Sequence, residues 1–301
     1  REDMEALQAA PATEAALMAL PGMREMMARA QQLKLSPLTA TSPEPGEFWT
    51  PEQRKTVLDA LPPDSLTALK RYLARHLLAT AEHMNLANMM IVDDEYGPFD
   101  WRLPQAYAVY FGAKENYADF AVNDDLEYPL IRQAMEDSFR QGRLIFMDST
   151  NFVVSNNLEI AGKIHDYLEA LIEREKNPAA EARFRAFHEF CSVILYNYGY
   201  IAQAREFYAE FREEFDDQKN MPETLEEYVM EHSPAILGLG SKADQRTLVG
   251  TSLFQAYLSL GLGNDHRALG YISLAYNLWQ RNQVKYADRP DLRWPPFQQL
   301  Q

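Results

Sequence analysis

The side chains that could do chemistry here are six histidines, His76, His83, His165, His188, His232 and His266, a single cysteine, Cys191, and a large excess of carboxylates. No histidine falls in H-E-x-x-H or another spacing that puts two metal ligands on one face of one element. His76 and His83 are seven residues apart on an expected helix, so they share a face but lie about 10 Å apart and could reach a common ligand only with help from other groups. Gly238-Leu239-Gly240-Ser241-Lys242 has the glycines and lysine of a phosphate loop without the G-x-x-x-x-G-K-[ST] spacing. No strand is expected before it, and Ser241 reads as a helix N-cap. A G-x-S-x-G elbow is absent. Asp93-Asp94-Glu95 and Asp124-Asp125 lack the alternating ligands and glycine of an EF-hand loop. Cys191 follows Phe190 on an apolar helix and reads as an inert core thiol. The expectation is therefore no catalytic residue, no cofactor and no metal site.

What remains is chemistry of binding. The segment Asp93-Asp94-Glu95-Tyr96-Gly97-Pro98-Phe99-Asp100-Trp101-Arg102-Leu103-Pro104 joins two expected helices. Gly97-Pro98 ends the first and Pro104 opens the second. In one reading Phe99 and Trp101 plug the core at a helix crossing, and Asp100 pairs with Arg102 or caps the next helix. In the other, Trp101 and Arg102 line a groove that takes a peptide or carboxylate through ring stacking and a forked donor. The stretch resembles a YGPxDWRxP motif of uncharacterised planctomycete- and verrucomicrobial-type proteins. That resemblance implies no known activity; it implies a bacterial origin and association with the cell envelope.

Charge gives a second set of candidates. Residues 93–127 carry nine acidic against two basic residues and 206–231 carry ten against two, which together account for the whole net charge of −15. Such a balance excludes nucleic acid as partner, because that requires a basic surface. Asp93, Asp94 and Glu95 in the first stretch, and Glu213, Glu214, Asp216 and Asp217 in the second, are the expected contacts for a basic protein partner. The alternative is two solvated faces that aid solubility. A third candidate is Trp294 and Phe297 in the proline-broken segment after Asp291, which either packs back on its own domain or docks on a neighbour.

The elements that must position these residues are helices. An apolar share of 47 % with 24 % charged residues is globular. No run reaches the ~18 uncharged apolar residues of a membrane span, and Ile194–Ile201 and Ser252–Leu262 read as buried helix. Thr50 followed by Pro51 opens one helix. Leu66, Leu69, Leu73, Leu77, Ala81, Met84, Ala87 and Ile91 recur at three- and four-residue steps, predicting one long helix after Pro62-Pro63. Further helices are expected over 104–120, 127–146, 149–176, 179–198, 200–218, 222–232, 242–262 and 265–287. Hairpin turns and clean alternation are lacking, so the expected fold class is all-α. The expected organisation is an N-terminal helical arm (1–34), a proline-rich linker (35–50), a helical region holding the Asp93–Pro104 segment (51–148), a second helical region (149–290) and an extended tail (291–301). The sequence opens on Arg1. Methionine removal normally leaves a small residue first, so a trimmed end is expected, with an upstream signal or membrane anchor lost with it.

Two segments share a pattern. Aligning Gly199 with Gly263 pairs Ala204 with Ala268, Tyr208 with Ile272 and Phe211 with Ala275. A glycine, a small residue five on and a large residue four further resemble the turn and second helix of a tetratricopeptide repeat. The resemblance implies antiparallel helical hairpins stacked in an α-solenoid array. The two glycines lie 64 residues apart rather than the family's ~34, and His188 and Ser252 stand where that family usually has a large aromatic. The functional expectation is a non-catalytic scaffold that binds a protein partner or joins a larger, envelope-associated complex. The alternative is an all-α enzyme working through carboxylates, with or without a divalent metal.

Overall fold

The computed structural model describes residues 2–38, 44–117, 124–146, 151–214, 221–237 and 242–300. It is mostly helical and divides into two compact units, Arg1–Ser138 and Phe139–Gln301. The first holds α1 (Glu2–Gln8), α2 (Glu14–Met18), α3 (Met23–Gln32), α4 (Pro51–Leu58), α5 (Pro63–Thr80), α6 (Leu86–Tyr96), α7 (Pro104–Tyr117) and most of α8 (Asp124–Gln141). Thr50 and Gln53 form a capping box at the start of α4, each side chain accepting from the other's backbone N–H. Residues 1–34, expected as an arm, supply Leu17, Met23, Met26 and Ala30 to a core shared with Val57, Leu61, Leu69 and Leu73. Leu35, Leu38 and Trp49 of the expected linker pack against the same core, while residues 39–43 lie outside the described residues.

The long helix expected up to Ile91 is two. His83 takes a left-handed φ of 55°, and Asn85 restarts the chain as the N-cap of α6, its Oδ1 accepting from the N–H groups of Ala87 and Asn88. The backbone N–H of Asn85 donates to the Tyr110 hydroxyl of α7, which anchors the break. Beyond the break the buried face of α6 is Leu86, Met89, Val92 and Tyr96, while Ala87 and Ile91 of the expected stripe are exposed, so the continued spacing was coincidental.

The second unit holds β1 (Arg143–Phe146), β2 (Phe152–Ser155), α9 (Ala161–Glu175), α10 (Pro178–Asn197), α11 (Ile201–Glu214), α12 (Leu225–Ile236), α13 (Lys242–Gly261) and α14 (Asp265–Lys285). The two strands correct the helices expected over 127–146 and 149–176. They pair antiparallel, with Phe146 opposite Phe152 and Arg143 opposite Ser155. Leu144, Ile145, Phe146, Phe152, Val153 and Val154 are the branched and aromatic residues that suit a pleated surface. The division between units falls at Ser138, where 148 was expected, because Phe139 sets its ring edge-on to Phe187 and close to Phe190 of α10.

Gly199 and Gly263 lie in the turns of two antiparallel helical pairs, α10–α11 and α13–α14. Each has a left-handed φ, 82° and 73°. After each, the next residue's N–H reaches back five positions, Tyr200 to the Leu195 carbonyl and Asn264 to the Ser259 carbonyl. Each glycine's own N–H reaches back three, which completes a Schellman ending in both pairs. Ala204 and Ala268, five residues later, are both fully buried. The two turns differ in surroundings: a Cβ on Gly199 would meet Ser273 Oγ at 2.9 Å, whereas one on Gly263 meets nothing within 4 Å. Gly263→Ala is accordingly expected to cost only the left-handed strain, about 1–2 kcal/mol, and Gly199→Ala measurably more. Urea unfolding midpoints of the two variants check this, and equal losses would contradict the turn geometry.

Candidate functional site

In the first unit the acidic segment is built inward. Asp93 lies in the last turn of α6 and is buried, and its Oδ1 accepts from the Phe99 N–H at 2.9 Å and the Trp101 Nε1–H at 3.1 Å. Trp101 is half-buried, its ring edge-on to Phe99 and Tyr110. Arg102 is exposed and forms a forked pair with Asp100 at 2.7 and 2.6 Å. Asp94 and Glu95 are exposed at the end of α6. Of the two readings of Trp101, core plug or groove wall, the half-buried ring fits neither fully: the buried member is the carboxylate, and the indole is held by it. Asp93 ties the chain on both sides of Gly97-Pro98 and is consumed as an internal acceptor.

The remaining expected contacts separate in the same way. Glu213 is exposed near the end of α11; Glu214 ends that helix, with its side chain outside the described residues. Asp216 and Asp217 lie outside the described residues altogether. Trp294 and Phe297 are buried in their own unit against Val249, Leu253, Leu274 and Leu278. The Trp294 N–H donates to Asn282 Oδ1, Gln283 Nε2 donates to the Trp294 carbonyl, and Trp279 Nε1 donates to the Pro295 carbonyl. The tail is held by short 3-10 turns, Pro290–Leu292 and Phe297–Gln299, and of the two readings it packs back on its own unit, which leaves Trp294 and Phe297 out of reach of a neighbour.

Two features went unread in the sequence. The first is the outward face of α13. The sequence carries no charge from Thr247 to Asn264. In the fold, Ser252, Gln255 and Ser259 point inward and are buried, while Phe254 and Tyr257 stand 51 % and 53 % exposed, with Leu260 and Leu262 beyond them. Val249, Leu253 and Ala256 are buried on the same inward side, so the segment expected as buried helix is apolar on both sides and open on one. Periodicity marks an apolar face without saying what covers it.

The second is a cluster inside the second unit. His165 of α9, His188 of α10 and Glu210 of α11 come from three successive helices, and they are the set among the described residues from which one metal ion could take three ligands. His165 Nδ1 and His188 Nε2 are 3.2 Å apart, His188 Nε2 and Glu210 Oε2 3.3 Å, and His165 Nδ1 and Glu210 Oε2 3.5 Å. His188 is fully buried, and its Nδ1 donates to the Phe184 carbonyl at 2.9 Å. The rings of Phe184, Phe187 and Phe207 surround it. Burial holds the His188 imidazole below its ordinary value, against the upward pull of the Phe184 carbonyl and Glu210. The three residues are 23 and 22 positions apart, so no local motif signals them.

Compared with known protein families, curated proteins and solved structures, the chain matches none.

Replacing the Asp93 carboxylate leaves one buried and one half-buried donor unanswered. Asp93→Ala is expected to lower stability by about 1.5–3 kcal/mol, the range for hydrogen bonds to a charged group. Asp93→Asn, which keeps an acceptor oxygen, should recover much of that. Denaturant unfolding followed by tryptophan fluorescence reads both, and an Asp93→Ala protein as stable as the parent would contradict the role assigned to this side chain.

Proposed function

We propose that the second unit is a non-catalytic scaffold that takes a helical segment of a protein partner along the outward face of α13. The observation that carries this reading is the apolar outward face of that helix. Phe254, Tyr257 and Leu260, with Leu262 just after the helix, face solvent, although Val249, Leu253 and Ala256 already fill its buried side beside Ser252, Gln255 and Ser259. A helix at the edge of a monomeric fold has a polar outward face. In stacked helical arrays the outermost element needs a polar outer face, and an apolar one calls for a further layer. The pairs α10–α11 and α13–α14, with matching glycine turns and matching buried alanines, are read as units of a tetratricopeptide-like array whose next layer the partner supplies. The exposed carboxylates of α11 and α12, Glu206, Glu213, Glu227 and Glu231 among them, favour a partner with basic flanks and would speed its approach.

The test is a double substitution, Phe254→Glu with Tyr257→Glu. Both sites are exposed, so the variant is expected to keep its helicity and to melt within a few degrees of the parent. It should lose the protein that co-purifies with the parent chain from its native cells. Retention of every partner by a folded double variant would refute the reading. For the partner once purified, the association rate should fall severalfold between low and high salt, because exposed charges act over only about 8 Å at physiological ionic strength. Self-association abolished by the same substitutions would identify the partner as a second copy.

A further inference from the structure

The geometry points to a binding site for one zinc-type divalent ion at His165 Nδ1, His188 Nε2 and Glu210 Oε2, with a fourth coordination position open to solvent. The inference is independent of the α13 face and assigns a ligand to residues that the scaffold reading leaves unused.

The first argument is metrical. A tetrahedral ion with bonds of about 2.0–2.1 Å holds its ligand atoms about 3.3–3.4 Å from one another. The three contacts here, 3.2, 3.3 and 3.5 Å, describe one face of such a tetrahedron. An octahedral ion at the same bond length would draw neighbouring ligands to about 3.0 Å. Two imidazole nitrogens and one carboxylate are also the donor set that zinc takes where it keeps a position for water.

The second argument is about protons. The Nδ1–H of His188 is spent on the Phe184 carbonyl, so Nε2 presents a lone pair to the cluster. At 3.3 Å that lone pair faces a carboxylate oxygen, acceptor against acceptor. A hydrogen on His165 Nδ1 can serve one of the two well and the other poorly. A divalent cation satisfies all three atoms at once.

The third argument is the surroundings. The donation from His188 to a backbone carbonyl is the outer contact that metal-bound histidines use to fix ring orientation and tautomer. Phe184, Phe187 and Phe207 form an apolar shell around the imidazole. Access comes from the opposite side: the side chains of His165 and Glu210 are 20 % and 48 % exposed, so an ion can enter and a water can complete its shell.

The experiment uses the full chain, stripped of metal with a chelator, and titrates it with Zn²⁺ by calorimetry and with Co²⁺ by visible absorption. One ion per chain is expected, with the intense visible bands of four-coordinate cobalt and a rise in melting temperature on adding zinc. His165→Ala and Glu210→Gln, both at accessible positions, are each expected to weaken zinc binding at least about 100-fold, since even outer-shell losses cost 10–100-fold. The exposed His76→Ala should leave it unchanged. His188→Ala is the weaker test because that side chain is buried in the core. Absence of saturable binding would overturn the assignment and leave a polar contact between three helices. So would binding that survives both His165→Ala and Glu210→Gln in folded protein.

Discussion

Helix α10 is buried on nearly every side. It packs against α9, α11, α12 and α14, and from Phe184 to Asn197 it buries His188, Ser192 and Asn197 among aromatic and aliphatic residues. A helix so enclosed cannot send its polar side chains to water, and a buried donor without a partner is costly. The chain meets this constraint by turning the side chains back on their own helix. His188 donates to the Phe184 carbonyl, Ser192 to that of His188 and Asn197 to that of Val193, each four residues earlier. Asn197 then reaches across to Ser233 of α12, whose hydroxyl repeats the device toward Val229. The rest of the second unit is arranged around a helix that answers most of its buried donors from its own backbone. Because the back-bond spends one nitrogen of His188, the other is left facing His165 and Glu210. The candidate metal site follows from how a buried helix accommodates a histidine.

Much of the architecture was legible because it depends on local rules. Gly199 and Gly263 could be aligned because only glycine readily takes the left-handed position a Schellman ending needs. Thr50-Pro51 and Pro104 marked helix starts through capping chemistry and the missing N–H of proline. What failed depended on partners distant in sequence. The break at Ala81–Asn85 is fixed by Tyr110, a residue of another helix. The β1–β2 pair consists of two four-residue strands, too short to show alternation against a helical background. Residues 1–34 read as a helical arm, but the core that their Leu17, Met23 and Met26 complete is made with α4 and α5.

The same division holds for the candidate sites. Trp101 and Arg102 stood out by residue type, while the side chain that organises their loop is Asp93, which the sequence offered only as one more member of an acidic run. Composition cannot tell a carboxylate that accepts two buried hydrogens from one that faces water. His165, His188 and Glu210 sit in three helices, and only antiparallel packing brings them together. The apolar run of α13 was visible, but its burial depends on whether another layer lies over it, which one chain's sequence does not encode.

The locking of Trp294 and Phe297 into the core between α13 and α14 bears on how the protein is made. The second unit begins at Phe139, and its apolar interior is not complete until the segment around Phe297 is in place. On the ribosome, α13 and α14 therefore emerge before the two aromatic rings that cover them. Domains generally fold as units, N-terminal first, and transiently exposed apolar surface is the usual route to misassembly. Until the segment from Trp294 to Phe297 follows, Val249, Leu253, Leu274 and Leu278 lack the rings that cover them.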